Sequence, residues 1–197
     1  MYNHKQLTVG WDTTKNDTTI MKKIVLSTIF AVLSICASAQ TPIKFLGIPV
    51  DGSKAEMIEK IKAKGFEYDS ASDALMGEFN GSQVIIGVVT NNNKVYRVAV
   101  IDKDDSDEAQ IKTRFNNLYY QFLNNGKYEL LLGKTLSESE RISYEMLVNK
   151  KQYQAVFEPT DKSVNGMVWY QIAERFGSYC ICIYYENTIN KAHGEDL

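Results

Sequence analysis

The sequence predicts an α+β domain in which an antiparallel sheet of about six or seven strands has its helices packed on one face. Short β-rich runs are separated by hairpin signals, the clearest of which is Asn80-Gly81, and hairpins make strand pairing antiparallel. Other segments repeat apolar residues at the spacing of one helical face, as do Ile111, Phe115, Leu118 and Phe122. The predicted order is (β)-α-β-β-β-α-α-β-β-β.

Residues 21–39 have the pattern of a cleavable secretory signal. Met21 precedes two lysines and an apolar stretch, and Ala37-Ser38-Ala39 forms a small-x-small cleavage site. We therefore expect export to the periplasm or the medium, with a mature N-terminus at Gln40. Residues 1–20 are polar and without periodicity. We therefore interpret Met21 as the true start of the protein and residues 1–20 as a disordered segment translated only in an over-long reading of the gene.

Two alternatives to cleavage concern the membrane. Leu33-Ser34-Ile35-Cys36 resembles a lipidation box, but Ile35 stands where the box requires Gly, Ala or Ser. A lipoprotein modified at Cys36 is therefore the alternative localisation. The other alternative is an N-terminal anchor that is not cleaved, but the apolar stretch is shorter than the roughly 20 residues of a transmembrane helix, so we expect no membrane span.

The remaining residues, 40–197, are predicted to form one α+β domain with a polar C-terminal tail from about residue 187. Its first strand covers residues 43–48, and Ser53 with Glu56 makes a capping box for a helix that Gly65 ends. Three strands follow at residues 75–79, 83–90 and 95–101. Because residues 84–89 are apolar on both faces, the second of these strands is expected at the centre of the sheet.

The second half repeats this order with one more helix. A helix capped by Asp105 or Ser106 is predicted to run to about Asn125, and Ser137 or Ser139 is predicted to start another. Three strands follow at residues 153–157, 167–174 and 179–185, the last two joined by a hairpin through residues 176–178. The order suggests a duplicated unit of one helix and three strands.

Composition argues against several functions. The formal net charge is −2, and the segment before Gln40 is basic, so the mature part is more acidic than the whole chain. An acidic protein has no general attraction for phosphate backbones, so we expect no nucleic-acid partner. After cleavage the chain keeps only Cys180, Cys182 and His193, which leaves Cys/His metal sites and His-dependent catalytic sites incomplete. We therefore predict no metal, no cofactor and no catalytic residue.

Cys180 and Cys182 lie two apart in a β-rich run. Residues at this spacing share one face of a strand at a distance unsuited to a disulfide, so both thiols are expected to stay unpaired.

Several turns and caps carry a resemblance. Residues 45–52, a helix and then Lys64-Gly65-Phe66 resemble the opening of small secreted proteins of unknown function from gut Bacteroidetes. Residues 77–81, the strand at 95–101 and the ending at 184–187 and 194–197 fit the same pattern. The resemblance implies an architecture and no catalytic residues. The order of elements is also loosely similar to β-lactamase-inhibitor-like proteins and outer-membrane assembly lipoproteins, folds that bind other proteins.

The leading hypothesis is a non-catalytic secreted or periplasmic binding module for a protein partner or a second copy of the chain. Strand alternation puts Tyr170 on one face and Trp169 on the other, and we assign the Tyr170 face, with Tyr96, to the open side. Tyr96, Tyr170 and Tyr184 are the predicted binding residues, because tyrosine is enriched at binding surfaces. One alternative is a small-ligand or peptide binder with a pocket between helices and sheet. Another is a hydrolase using carboxylates alone, such as a glycosidase.

Overall fold

An eight-stranded antiparallel sheet dominates the computed structural model, which describes residues 40–191. The predicted start, the predicted signal and lipidation box, and His193 lie outside the described residues. The strands in chain order are β1 (Thr41–Pro42), β2 (Lys44–Phe45), β3 (Ile48–Pro49), β4 (Glu67–Asp69), β5 (Ala74–Phe79), β6 (Ser82–Asn91), β7 (Lys94–Asp102), β8 (Tyr128–Leu132), β9 (Gln154–Pro159), β10 (Val164–Asn165), β11 (Met167–Arg175) and β12 (Ser178–Glu186).

The large sheet consists of two meanders joined at its centre. Its strand order is β4-β5-β6-β7-β12-β11-β9-β8, so β7 pairs with β12 where the halves meet. Two-residue turns connect β5 to β6, β6 to β7 and β11 to β12. Outside this sheet, β1 pairs in parallel with β10, and β2 forms a small hairpin with β3.

Three helices accompany the sheet: α1 (Lys54–Lys62), α2 (Glu108–Leu123) and α3 (Ile142–Leu147). The predicted capping box of α1 is confirmed, since Ser53 accepts from the Glu56 amide and Glu56 accepts from the Ser53 amide. The α2 helix has a second capping box, formed by Asp107 and Gln110. None of the three helices is long and apolar enough to cross a membrane.

The core lies between these helices and one face of the sheet. Phe115 of α2 meets the ring of Tyr170 edge-on at a centroid distance of 4.9 Å, and Phe122 stacks on Phe157 at 5.1 Å. In the first meander, Met57 and Ile61 of α1 join the same buried cluster as the inward residues of β6, which are Val84, Ile86 and Val88. Alternate strand residues therefore face the helices, and the residues between them face the other way.

The predicted α+β class with an antiparallel sheet is confirmed, whereas the count of six or seven strands falls short of the observed eight. The predicted first strand at residues 43–48 was wrong, because the turn at Leu46-Gly47 folds this segment into the separate β2–β3 hairpin. Two strands that the sequence analysis did not predict, β4 and β8, lie at the two edges. The β4 strand has the sequence Glu-Tyr-Asp, which carries no alternation, and β8 exposes Leu131 and Leu132. Edge strands are short and partly solvated, so their periodicity is weak.

Two predicted helix starts were also wrong. Asp107, not Asp105 or Ser106, caps α2, because the Ser106 backbone pairs with Tyr179 and Asp105 accepts a hydrogen bond from Arg175. The third helix begins at Ile142, after Ser137 and Ser139. Those two hydroxyls hydrogen-bond each other within the preceding loop.

Candidate functional site

The face of the sheet turned away from the helices consists mostly of apolar residues, many of them half-buried. One row of directly paired residues crosses six strands and consists of Gly87, Ala99, Tyr184, Trp169, Val156 and Leu132. A neighbouring row holds Met76, Ile85, Ile101, Cys182, Gln171 and Gln154. We call this surface the open face, because the buried residues of the three described helices pack on the opposite side of the sheet.

Two aromatic rings stand at the centre of the open face. Trp169 of β11 pairs directly with Tyr184 of β12, and their rings stack with centroids 4.1 Å apart and planes inclined by 25°. Both side chains remain partly exposed. On the β7 side the next residues in the row, Ala99 and Gly87, are small. The stacked rings therefore project further from the sheet than these neighbours do.

Arg97 of β7 adds a charge to this aromatic pair. Its guanidinium carbon lies 5.3 Å from the ring centre of Tyr184 and 5.8 Å from that of Trp169. Both Nε, at 2.9 Å, and Nη2, at 2.6 Å, donate to one oxygen of Glu186, and Lys191 donates to the other oxygen at 2.7 Å. The arginine is therefore held over the rings by a carboxylate that is itself buried.

A β-bulge brings a third aromatic ring to the same guanidinium. Val89 pairs with Arg97 and Thr90 pairs with Val95, so Tyr96 is an extra residue on β7. Its carbonyl accepts from the Asn187 amide at 2.7 Å, and its ring centre lies 5.3 Å from the Arg97 guanidinium. We call Tyr96, Arg97, Trp169 and Tyr184 the aromatic–arginine cluster.

Two buried thiols lie beside the cluster on β12. Cys180 and Cys182 are both free, as the sequence analysis predicted. The interaction of the two neighbouring thiols lowers the pKa of Cys180 and raises the pKa of Cys182, and the Arg175 charge also lowers that of Cys180. They contribute small apolar side chains to the open face.

The three predicted binding tyrosines separate in the structure. Tyr184 and Tyr96 lie together around Arg97, and their binding role stays a prediction. Tyr170 was wrongly assigned to the open face, because its ring is fully buried beneath α2 and its hydroxyl donates to the Phe115 carbonyl at 3.0 Å. Trp169, which the sequence analysis placed on the covered side, occupies the open face instead, and Arg97 was missed.

The helix side of the sheet has two adjoining cavities of about 630 and 420 Å³. They lie where the end of α2 meets the β2–β3 hairpin. Both are lined by Leu46, Phe122, Asn125 and Tyr185. We call this pair of cavities the helix-side cleft.

Comparisons of the chain with protein-family models, curated proteins and solved structures found no match. Within residues 40–191, no three His, Cys, Asp or Glu side chains are grouped so that they could hold a metal ion.

Proposed function

We propose that this chain is an exported, non-catalytic binding module whose open face receives a protein partner. The observation that supports this most is the aromatic–arginine cluster, half-exposed on a sheet face that no helix of residues 40–191 covers. Trp, Tyr and Arg are the residues that contribute most to binding energy in protein interfaces. Export rests on the signal pattern at residues 21–39.

The pairing of Arg97 shapes the surface that a partner would meet. Its guanidinium donates to Glu186, which also accepts from Lys191, so Arg97 offers a flat group beside the rings whose position is already fixed by hydrogen bonds. Such a surface suits a partner with an apolar centre and few charges.

The environment of the buried carboxylates supports a non-catalytic role. A general acid requires a carboxyl with a raised pKa. Burial raises the pKa of Glu186, but the hydrogen bonds from Lys191 and Arg97 outweigh burial and hold that pKa below its ordinary value. Asp102, the other buried carboxylate in the described chain, receives two hydrogen bonds of 3.2 Å from Arg114.

Alanine substitutions in the cluster test this function. Trp169→Ala and Tyr184→Ala should each weaken capture of a partner from envelope or culture fluid by about 2 kcal/mol, the loss typical of a central interface residue. Tyr144→Ala, which removes an exposed ring on α3, is the matched control and should leave capture unchanged. Sedimentation of the purified protein at rising concentration distinguishes a foreign partner, which leaves it monomeric, from a second copy. Full capture by both cluster variants would refute the proposal.

A second candidate function is the binding of a small ligand between helices and sheet. The specific observation that favours it is the helix-side cleft. Its larger cavity, about 630 Å³, lies in the size range of small-molecule sites. The two functions use opposite faces of the sheet, so one protein can perform both.

A further inference from the structure

The helix-side cleft has a tyrosine hydroxyl at the junction of its two cavities. Tyr185 lines both cavities and is only 8% exposed, with its ring tilted against Phe45 at a centroid distance of 5.0 Å. Its hydroxyl has no hydrogen-bond partner among residues 40–191. In the same range no side-chain oxygen or nitrogen shut off from solvent lacks a partner. The hydroxyl therefore keeps some contact with solvent-accessible space, and the two cavities that Tyr185 lines provide such space.

A second phenol lies close by. Tyr128 lines the larger cavity, and its ring meets Phe122 edge-on at a centroid distance of 5.5 Å. Burial raises the pKa of Tyr128, and burial followed by the nearby Tyr128 raises that of Tyr185. Both hydroxyls are therefore protonated at neutral pH and can donate hydrogen bonds to a ligand in the larger cavity.

The charges around the larger cavity favour an anion. Lys44 and Lys127 line it, and neither forms an ion pair with any other residue of the described chain. Asp161 also lines it, but one of its oxygens already accepts from the Ser163 amide and hydroxyl. The smaller cavity has one acidic lining residue, Glu78, which does not line the larger cavity.

We propose that the helix-side cleft binds a small amphipathic carboxylate. Its charged end meets the hydroxyls of Tyr128 and Tyr185 in the larger cavity, with the two lysines nearby. Its apolar body passes Phe122 into the smaller cavity, where the walls are Phe79, Leu118 and Ile183. This inference rests on the second candidate function and adds to it the chemical class of the ligand.

A pair of probes that differ only in charge tests the inference. Calorimetric titration of the full-length protein with 4-phenylbutyrate should show one site, and 4-phenyl-1-butanol should bind at least about tenfold more weakly. The double variant Tyr128→Phe/Tyr185→Phe should weaken phenylbutyrate binding by about tenfold or more, because it removes two hydrogen bonds to a charged group. It removes no aromatic ring, so its thermal midpoint should stay near that of the wild type. Tyr144→Phe, outside the cleft, should bind like the wild type.

The outcomes separate this inference from the function on which it rests. Suppose that the acid and the alcohol bind equally well and that the cleft-filling variant Asn125→Trp binds neither. That result would support the second candidate function and would refute the preference for a carboxylate. Phenylbutyrate binding that survives both the double variant and Asn125→Trp would place the site elsewhere and overturn the inference. Binding of neither probe would reject the inference and the second candidate function together.

Discussion

Phe176 is a large apolar residue in an exposed turn with a left-handed backbone. It occupies the first position of the two-residue turn between β11 and β12, with a φ of 52° and a side chain that is 100% exposed. Left-handed backbone is unfavourable for bulky residues and well tolerated by Asn, which is why Asn-Gly is the preferred sequence for such turns. The turns at Asn80-Gly81 and Asn92-Asn93 follow this preference.

Replacing Phe176 with Asn should stabilise the domain by about 1 kcal/mol, because the substitution relieves the left-handed strain and removes an exposed ring. Urea unfolding at neutral pH measures the change in the free energy of unfolding. Asn92→Ala, at the equivalent position of the β6–β7 turn, is the converse control and should destabilise by a similar amount. A stability loss in Phe176→Asn would show that the ring contributes to the fold and would contradict this account.

The grouping of Tyr170 with Tyr184 as binding residues is also a matter of single residues, and the sequence contained the information to avoid it. A two-residue turn at Phe176-Gly177 fixes the register of β11 and β12, so that Trp169 pairs with Tyr184 and Tyr170 with Ile183. Tyr170 and Tyr184 must then face opposite sides of the sheet. The alternation itself could be read from the sequence, but not which face the helices cover, because the residues on both faces are apolar.

Among the elements, α2 shows how neighbouring backbone decides where a helix begins. Three consecutive residues, Asp105, Ser106 and Asp107, all have side chains suited to an N-cap. The Ser106 amide and carbonyl are both used in an isolated bridge to Tyr179, which leaves Asp107 to accept from the Gln110 amide at 2.8 Å. The cap type was predictable from the sequence, whereas its position depends on a contact with a distant strand.

We expect Asp107→Ala to lower the free energy of unfolding by about 1 kcal/mol, since it leaves a helix amide without its acceptor. Ser106→Ala is the matched control and should change stability little, because the bridge to Tyr179 uses only backbone atoms. Chemical denaturation of the two variants side by side gives the comparison. A larger loss in Ser106→Ala would assign the cap to Ser106 instead.

At the scale of the whole molecule, Glu186 joins parts of the chain that are far apart in sequence. It ends β12, pairs with Arg97 of β7 and receives Lys191 from the C-terminal segment. The carboxyl is almost completely buried, with a side-chain exposure of 1%. Its hydrogen bonds therefore connect the two meanders at the end of their shared border.

This arrangement makes stability depend on pH in a defined direction. The pKa of Glu186 is lower in the folded than in the unfolded protein, so its contribution is present above the unfolded pKa of about 4.3 and is lost as the pH falls through the folded pKa. Glu186→Gln should cost roughly 2–3 kcal/mol at pH 7, and this difference from the wild type should shrink at acid pH. Urea denaturation across this pH range measures both values.

Glu59→Gln, which removes an exposed carboxylate on α1, should behave like the wild type at every pH. If the cost of Glu186→Gln were the same at acid and neutral pH, the charge of Glu186 would not be what stabilises the domain.

The central pairing of β7 with β12 also has a consequence for how the chain folds. The first meander is complete at Asp102, whereas β12, the strand that pairs with its inner edge, begins only at Ser178. As the chain folds, the β7 edge stays unpaired until β12, the partner most distant in sequence within the sheet, reaches it. A second chain offers the same β12 in the same register, so unfolded chains at high concentration can exchange halves and make a swapped dimer from native pairings alone. The concentration of the protein therefore affects the formation of swapped dimers most before the chain has folded.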